Sequence, residues 1–280
     1  MTLGLVGTGL IGGSMALKLK EKNFAQKILG YDKNPEHAQK AVSLGIIDEA
    51  SDLENILDNA DLIIVAIPVD AAHKAIPLLL DKVNSHQVVM DVGSTKKGIL
   101  QSVESHPHRE RFVASHPMWG TENSGPEAAT IESFSGKAAV LCNVENSAED
   151  AVKKVEELYA VLGMHLLYMD GEAHDVHTAY ISHVSHITSY ALANTVLEKE
   201  REEDTIFQLA SSGFSSTVRL AKSSPEMWVP IFKQNKENVL DVLNEHISQL
   251  RKFKSALEKE NYDFLRELID RANEIRRILK

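Results

Sequence analysis

The sequence lacks the cysteine pairs, the long apolar runs and the excess of positive charge that are typical of secreted, membrane-spanning and nucleic-acid-binding proteins, respectively. Cys142 is its one cysteine, so no disulfide can form within the chain, which suits a reducing compartment such as the cytoplasm. The longest apolar run, Leu62–Val69, contains a proline and is far too short to cross a bilayer. Acidic residues outnumber basic ones by 40 to 30, so we expect neither nucleic acid nor an acidic membrane as a partner.

Helix-breaking residues are absent from the end of the chain, where Gly213 is the last glycine and Pro230 the last proline. Apolar residues recur there at intervals of three and four, in two sets: Leu243, Ile247, Leu250, Phe253 and Leu257, then Leu265, Leu268, Ala272, Ile275 and Leu279. This spacing predicts amphipathic helices whose apolar faces need a partner. Packing within the domain and a dimer interface explain those faces equally well.

The first half alternates short apolar runs with helical patterns such as Met15–Lys22 and Pro35–Leu44. The runs that predict buried strands are Leu3–Val6, Lys27–Tyr31, Leu62–Ile67, Val88–Asp91, Phe112–Ala114, Ala138–Cys142 and His165–Met169. Alternating strands and helices are typical of a parallel sheet, and strands that are apolar throughout indicate helices on both faces. We therefore predict an α/β fold: an N-terminal Rossmann-like, doubly wound and mostly parallel sheet in residues 1–169, followed by an all-helical C-terminal domain in residues 170–280.

A glycine-rich motif follows the first predicted strand and opens the first helix. It has the pattern G-x-G-x-x-G and comprises Gly7, Thr8, Gly9, Leu10, Ile11 and Gly12. Gly7 permits a tight turn, Gly9 lets the backbone approach a pyrophosphate, and Gly12 allows close packing of helix and strand. Asp32, at the end of the second strand, would accept hydrogen bonds from ribose hydroxyls and repel a 2′-phosphate. The sequence thus favours NAD over NADP as the cofactor, and the neighbouring Lys33 leaves some use of NADP open.

Two further strands end in turns that could line this cofactor, because ligands of doubly wound sheets bind outside the carboxyl ends of the strands. Ile67 and Pro68 close one of these strands, and Gly93 follows the next. An ordinary strand-ending turn would explain Pro68 almost as well. Ser94 comes directly after Gly93 and is expected at the same edge.

His116 stands just past the short strand Phe112–Ala114, between two turn segments. Oxidation of an alcohol needs a base for the hydroxyl proton while hydride leaves carbon, and the near-neutral pKa of imidazole suits that task. We therefore predict that His116 is the catalytic base and that the Ser94 hydroxyl fixes its tautomer. A histidine with a purely structural role is the alternative.

Together these motifs resemble the prephenate dehydrogenase family. The resemblance rests on Gly7–Gly12 with Asp32, Gly93–Ser94, His116–Pro117 with Gly120–Glu122, the S-H-x-x-H pattern of Ser182–His186, and the segment Gly213–Trp228. It implies NAD-dependent oxidative decarboxylation of prephenate to 4-hydroxyphenylpyruvate in tyrosine biosynthesis. From the apolar helical faces we also predict a homodimer formed through the helical domain.

The resemblance further implies roles for individual residues. His116 would accept the proton of the ring hydroxyl, Ser94 would orient His116, and Arg219 would bind a substrate carboxylate through two parallel hydrogen bonds. The residues assigned to the substrate pocket are Thr121, Glu122, Ser182, His183, His186 and Trp228. Ser215 and Ser216 stand where the family often has a basic–acidic pair, which leaves open the preference for prephenate or arogenate.

The sequence is also compatible with other functions. Arogenate dehydrogenase performs the same chemistry on an amino substrate. A β-hydroxyacid dehydrogenase would need a catalytic lysine, for which Lys222 is the candidate, and would leave His116 unexplained. A non-catalytic NAD-binding regulator would need neither a base nor a carboxylate-binding arginine. A metal site is suggested by His174, His177, His183 and His186, but no carboxylate set accompanies them, so we expect no metal.

Overall fold

The structure is a computed structural model that describes residues 1–132, 134–200 and 206–278. Its contacts divide the chain into two compact units, Met1–Asn235 and Lys236–Lys280. The predicted domain boundary between residues 169 and 170 falls at the end of a strand within the first unit, and it stays a prediction. Leu279, the last residue of the predicted amphipathic pattern, lies outside the described residues.

A single sheet forms the centre of the first unit. Its strands, among the described residues, are β1 (Thr2–Val6), β2 (Lys27–Tyr31), β3 (Glu49–Ala50), β4 (Leu62–Val65), β5 (Val88–Asp91), β6 (Phe112–Pro117), β7 (Ala138–Cys142) and β8 (His165–Met169). Their spatial order is β3-β2-β1-β4-β5-β6-β7-β8, with β7 antiparallel to β6 and the other neighbours parallel. The first six strands have the doubly wound order, which changes direction between β1 and β4. The predicted Rossmann-like, mostly parallel sheet is confirmed.

Helices flank the sheet, and the described residues after β8 are mostly helical. They are α1 (Leu10–Glu21), α2 (Pro35–Ser43), α3 (Leu53–Asn59), α4 (Val69–Leu80), α5 (Lys97–Val103), α6 (Glu149–Val161), α7 (Gly171–Thr178), α8 (Val184–Glu200), α9 (Ser212–Thr217) and α10 (Pro225–Gln234). A π-helical turn, Ala179–His183, joins α7 to α8. Such turns are rare and occur frequently at functional sites.

Alternate residues of the central strands face two different apolar layers. In β4, Leu62 and Ile64 belong to one buried cluster, whereas Ile63 and Val65 belong to the other. All four side chains are almost fully buried. A strand that is covered on both faces needs an apolar side chain at every position, which explains the unbroken apolar runs. This packing fixes the ends of the strands, where the candidate site lies.

Two strands differ from the prediction. The two exposed residues Glu49–Ala50 form β3, which carries no apolar pattern that could have predicted it. β6 continues to Pro117, so the prediction that His116 lies beyond a strand ending at Ala114 is wrong. His116 instead pairs with Val140 in the antiparallel ladder between β6 and β7, and this pairing holds its backbone in place.

The second unit contains α11 (Lys236–Glu258) and α12 (Tyr262–Ala272), where the sequence predicts amphipathic helices. Leu250 and Leu257 on α11 are exposed. Across the described residues, we find no helix with the length and apolar character required to cross a membrane.

Candidate active site

The glycine loop between β1 and α1 is shaped by close contact with the segment after β4. Gly7 has a φ of +99°, and a Cβ there would overlap the carbonyl oxygen of Ala66. A Cβ on Gly12 would lie 2.9 Å from the Cβ of Ala66. By contrast, a Cβ on Gly9 would have no described atom within 4 Å. Packing therefore requires the first and third glycines, whereas the second faces open space from which a phosphate can approach the backbone.

Asp32, which follows β2, is held against this loop. Its Oδ2 accepts hydrogen bonds from the backbone N and the Oγ1 of Thr8, both at 3.0 Å, and its Oδ1 accepts from the N of Asn34 at 3.0 Å. The side chain is 15% exposed, so a ribose hydroxyl can still reach the carboxylate. A fixed negative charge at this position favours a 2′-hydroxyl over a 2′-phosphate.

The turns after β4 and β5 complete the same edge of the sheet. Ile67 lies past the end of β4, and its Cγ2 would be 2.8 Å from a Cβ on Gly7, so its side chain lies against the glycine loop. Pro68 immediately precedes α4. The N of Gly93 donates to Oδ2 of Asp91 at 2.8 Å, which closes the turn after β5. The predicted cofactor residues that meet at this edge are Gly7, Thr8, Gly9, Leu10, Ile11, Gly12, Asp32, Ile67, Pro68 and Gly93. Their arrangement fits a dinucleotide bound at the switch point.

His116 is hydrogen-bonded to a histidine that comes from the helical part of the first unit. Its Nδ1 lies 2.9 Å from Nε2 of His174, and Nδ1 of His174 lies 2.8 Å from Oδ1 of Asp175. The carboxylate of Asp175 also accepts hydrogen bonds from the backbone N of Lys96 at 2.8 Å and of Lys97 at 3.0 Å. Three side chains thus form a continuous line from α7 to β6.

The surroundings of His116 keep its imidazole neutral. Burial lowers the pKa of His116 well below its usual range, and nearby His174 and Lys96 act in the same direction. Lys96 is itself fully buried, and its Nζ donates to the carboxylate of Asp91 and, at 2.6 Å, to the carbonyl oxygen of Ser115. The neutral imidazole near pH 7 has one ring nitrogen free of hydrogen, and that nitrogen can accept a proton.

A second group of aromatic rings lies where the π-helical turn and the start of α8 meet α10. The ring of His186 stacks on Trp228 with centroids 3.5 Å apart, and His183 meets the same indole edge-on at 5.8 Å. Nδ1 of His186 donates to the carbonyl oxygen of Ser182 at 3.0 Å, which leaves Nε2 as an acceptor. Burial lowers the pKa of both histidines, that of His183 to about 4. Four of the predicted pocket residues are therefore gathered into one cluster, with both imidazoles neutral.

Arg219 is paired with the loop that follows β6. Its Nη1 donates to Oε2 of Glu122 at 2.7 Å, and the arginine side chain is 51% exposed. A backbone N–H bond and the bond from Arg219 hold the pKa of Glu122 below its usual range. Oγ1 of the adjacent Thr121 accepts from the N of Asn123 at 3.2 Å. The arginine that is predicted to bind a carboxylate thus lies beside the residues that are predicted to form the pocket rim.

Ser94 is not the partner that His116 uses. Within the described ranges the Ser94 hydroxyl makes no hydrogen bond, and Nδ1 of His116 is engaged with His174. An orienting role for Ser94, or a contact with substrate or nicotinamide, stays a prediction. Sequence reasoning does not assign His174 or Asp175 to the active site, although an adjacent His–Asp pair near a predicted helix start is a usable signal. Among the described residues, no three His, Cys, Asp or Glu side chains are arranged to hold a metal ion.

Comparison with known proteins identifies the family to which this site belongs. A family model described as the nucleotide-binding domain of prephenate dehydrogenase matches residues 15–168, and one described as its dimerization domain matches residues 170–271. The prephenate dehydrogenase of Bacillus subtilis (strain 168) is 33% identical over 94% of this chain and 72% of its own length. The chain belongs to the prephenate dehydrogenase family. It is therefore an NAD-dependent oxidoreductase.

Two further matches extend along nearly the whole chain. Cyclohexadienyl dehydrogenase of Zymomonas mobilis is 27% identical over 99% of this chain and 96% of its own length. The crystal structure of prephenate dehydrogenase from A. aeolicus, in complex with hydroxyphenyl propionate and NAD+, is 32% identical with a TM-score of 0.91, covering 100% of this chain and 98% of that one. Membership of the prephenate dehydrogenase family decides against a β-hydroxyacid dehydrogenase or a non-catalytic regulator, and Lys222 needs no catalytic role.

Proposed function

We propose that this prephenate dehydrogenase family member catalyses the NAD-dependent oxidative decarboxylation of prephenate to 4-hydroxyphenylpyruvate, a step of tyrosine biosynthesis. The observation that carries the proposal is the position of His116, which is hydrogen-bonded to His174 at the carboxyl edge of the sheet that also bears the glycine loop. The hydroxyphenyl propionate in the A. aeolicus complex has the hydroxyphenyl ring and three-carbon acid chain of the proposed product, which supports the substrate assignment.

The proposed chemistry uses Nε2 of His116, because Nδ1 is bonded to His174. Nε2 accepts the proton of the ring hydroxyl while the C–H bond on the same carbon breaks. Bound NAD supplies the hydride acceptor. Cleavage of the bond to the ring carboxylate then releases carbon dioxide, and its electron pair makes the ring aromatic. The resulting phenolate oxygen takes the proton back from His116, which ends the cycle neutral.

Arg219 is proposed to hold a carboxylate of the substrate. Within the described part of the chain, its side chain is bonded to Glu122 alone and through Nη1, so the rest of its planar fork can bind a carboxylate. The neutral rings of His183 and His186 and the indole of Trp228 then form a pocket wall that a substrate ring can contact. In this proposal, Arg219 recognises the charge of the substrate and His116 transfers the proton.

We further propose a homodimer formed through the helical region. It is supported by the match of residues 170–271 to a family dimerization domain. The large apolar side chains of this region that are exposed in the single chain include Ile181, Leu197, Leu209, Val229, Leu250 and Leu257. Sedimentation should give about twice the 31.0 kDa of one chain, and a monomer mass at micromolar concentration would contradict the dimer.

We propose the cytoplasm as the compartment, since Cys142 is a buried free thiol.

The substrate assignment is tested by following NADH formation from NAD, with prephenate and arogenate supplied in parallel. Rapid reduction with prephenate alone is the expected result. Reduction with arogenate alone would keep the site and the chemistry but replace the substrate. No reduction with either compound, in a preparation shown to bind NAD, would refute the proposed function.

A further inference from the structure

We propose that His174 and Asp175 are positioning residues that fix the tautomer of His116, so that Nδ1 carries the hydrogen and Nε2 is left to act as the base. The inference rests on the proposed function for its catalytic meaning. Its physical basis is the unbroken hydrogen-bonded line from Asp175 through His174 to His116, with distances of 2.8 Å and 2.9 Å.

The direction of the hydrogen bond between His174 and Asp175 fixes the direction of the bond between His116 and His174. An ionised carboxylate can only accept, so Nδ1 of His174 must carry the hydrogen that it shares with Asp175. A neutral imidazole has one hydrogen, so Nε2 of His174 is an acceptor. Nδ1 of His116 must therefore donate to it, which leaves Nε2 of His116 without hydrogen. That is the nitrogen that the proposed reaction needs.

This pattern of hydrogen bonds requires that His174 be neutral, because a protonated ring would donate from both nitrogens and reverse the second bond. His174 is almost fully buried, and burial lowers its pKa, although its bond to Asp175 acts in the opposite direction. The buried cation of Lys96 further disfavours a second positive charge. The positive charge of Lys96 itself is balanced by Asp91, to which its Nζ donates.

Asp175 is held firmly enough to set this pattern. Its two oxygens accept from the backbone N–H groups of Lys96 and Lys97, and its side chain is 2% exposed. The helix that carries it, α7, is capped by Asp170, whose side chain accepts a hydrogen bond from the N of Ala173 at 2.8 Å. Because Lys96 lies two residues after Ser94, the same carboxylate ties the turn after β5 to the histidine pair.

A purely structural role for the pair makes a different prediction. If His174 and Asp175 only fill a buried polar space, any replacement that keeps the fold would leave the hydrogen of His116 where it is. If they select the tautomer, removing the acceptor at Nε2 of His174 would move the hydrogen of His116 toward its own Nε2. The position of that hydrogen therefore separates the two roles.

The experiment compares His174→Leu, which removes the acceptor, with His174→Gln, whose amide oxygen can accept from Nδ1 of His116. His177→Leu, a change to an exposed residue of the same helix, is the matched control. The ring-nitrogen shifts of ¹⁵N-histidine-labelled protein are recorded without substrate, and His116 is assigned by the signal that disappears in His116→Asn. Turnover with prephenate, its KM and the Kd for NAD are measured on the same preparations.

We expect the hydrogen of His116 on Nδ1 in the unmodified protein, in His174→Gln and in the control, and mainly on Nε2 in His174→Leu. We expect kcat of His174→Leu to fall about 10- to 100-fold with KM and Kd little changed, and His174→Gln to recover much of that loss. A hydrogen on Nε2 in the unmodified protein would overturn the inference even if no variant folds. It would also be overturned if His174→Leu kept both the Nδ1 hydrogen and full turnover, or if both variants lost turnover equally without a change of tautomer.

The shifts are read without substrate, so the two proposals can fail separately. If prephenate is not oxidised while the nitrogen pattern stands, the proposed function fails and the tautomer assignment survives. If prephenate is oxidised and the pattern is absent, only the tautomer inference is lost.

Discussion

The two halves of the candidate active site are held by different kinds of interaction. In the glycine loop, backbone atoms approach so closely that a Cβ on Gly7 or Gly12 would overlap its neighbours. Around His116, the contacts are hydrogen bonds between side chains that are wholly or partly buried, led by the bond to His174. The first half therefore requires that Gly7 and Gly12 carry no side chain, whereas the second half requires that the hydrogens of the bonded side chains lie on particular atoms. Substitutions in the two halves should fail in different ways: the first in cofactor binding or folding, the second in turnover.

The largest effect should come from His116→Asn. We expect kcat to fall about 100- to 10,000-fold, because the proton acceptor is lost, while NAD binding and the KM for prephenate stay close to normal. Steady-state kinetics and NAD titration of the folded variant measure both quantities. Near-normal turnover would show that His116 is not the base, and it would contradict the proposed difference between the two halves.

Arg219→Ala should separate substrate recognition from proton transfer within the second half. We expect the KM for prephenate to rise about 10- to 100-fold, the loss associated with a charged hydrogen-bonding partner, with a smaller change in kcat. Glu122→Gln is the matched control, because it weakens the ion pair at 2.7 Å but keeps the arginine. An unchanged KM in Arg219→Ala would place this side chain outside the pocket.

Within the glycine loop, Gly7→Ala and Gly9→Ala should differ sharply. The alanine at position 7 must adopt a φ near +99° and overlap Ala66, so we expect a loss of about 1–3 kcal/mol in the free energy of unfolding. The alanine at position 9 meets no described atom within 4 Å, so stability should hold while the Kd for NAD rises. Urea unfolding and NAD titration measure the two effects, and equal loss of stability in both variants would contradict this account.

Asp32→Ala should alter the choice of cofactor. We expect weaker NAD binding and a smaller preference for NAD over NADP, because the carboxylate that repels a 2′-phosphate is gone. Some loss of stability should accompany it, since Asp32 accepts two hydrogen bonds from Thr8. The ratio of kcat/KM for the two cofactors is the measurement, and an unaltered ratio would defeat the assignment.

The smallest effect concerns pH. His116 acts in its neutral form, and its pKa is lowered, so activity is retained as pH falls and is lost only when pH passes through that lowered pKa. We expect kcat/KM for prephenate to stay level as pH falls to 6.5, the ordinary value for histidine. An acid limb at or above 6.5 that disappears in His116→Asn would show that burial does not hold the imidazole neutral.

The same contrast explains how far the sequence could predict the molecule. The glycine loop and Asp32 are readable because each glycine has a local steric task and the spacing is set by one strand and one helix. The sequence predicts that β6 ends at Ala114, because the polar residues Ser115 and His116 interrupt the apolar run, whereas the strand continues by pairing with β7. The bond between His116 and His174 joins residues 58 positions apart, and the pair of Arg219 and Glu122 joins residues 97 apart. No local pattern in the sequence encodes such contacts, and a functional role for Arg219 is predicted by the family resemblance alone.

In the proposed reaction, His116 accepts a proton while NAD takes hydride and prephenate loses its ring carboxylate. The most direct test measures NADH and carbon dioxide formed from a limiting amount of prephenate in the presence of excess NAD. We expect equal molar amounts of the two products, with formation of both nearly abolished in His116→Asn. NADH without an equal amount of carbon dioxide, or neither product from protein that binds NAD, would contradict it.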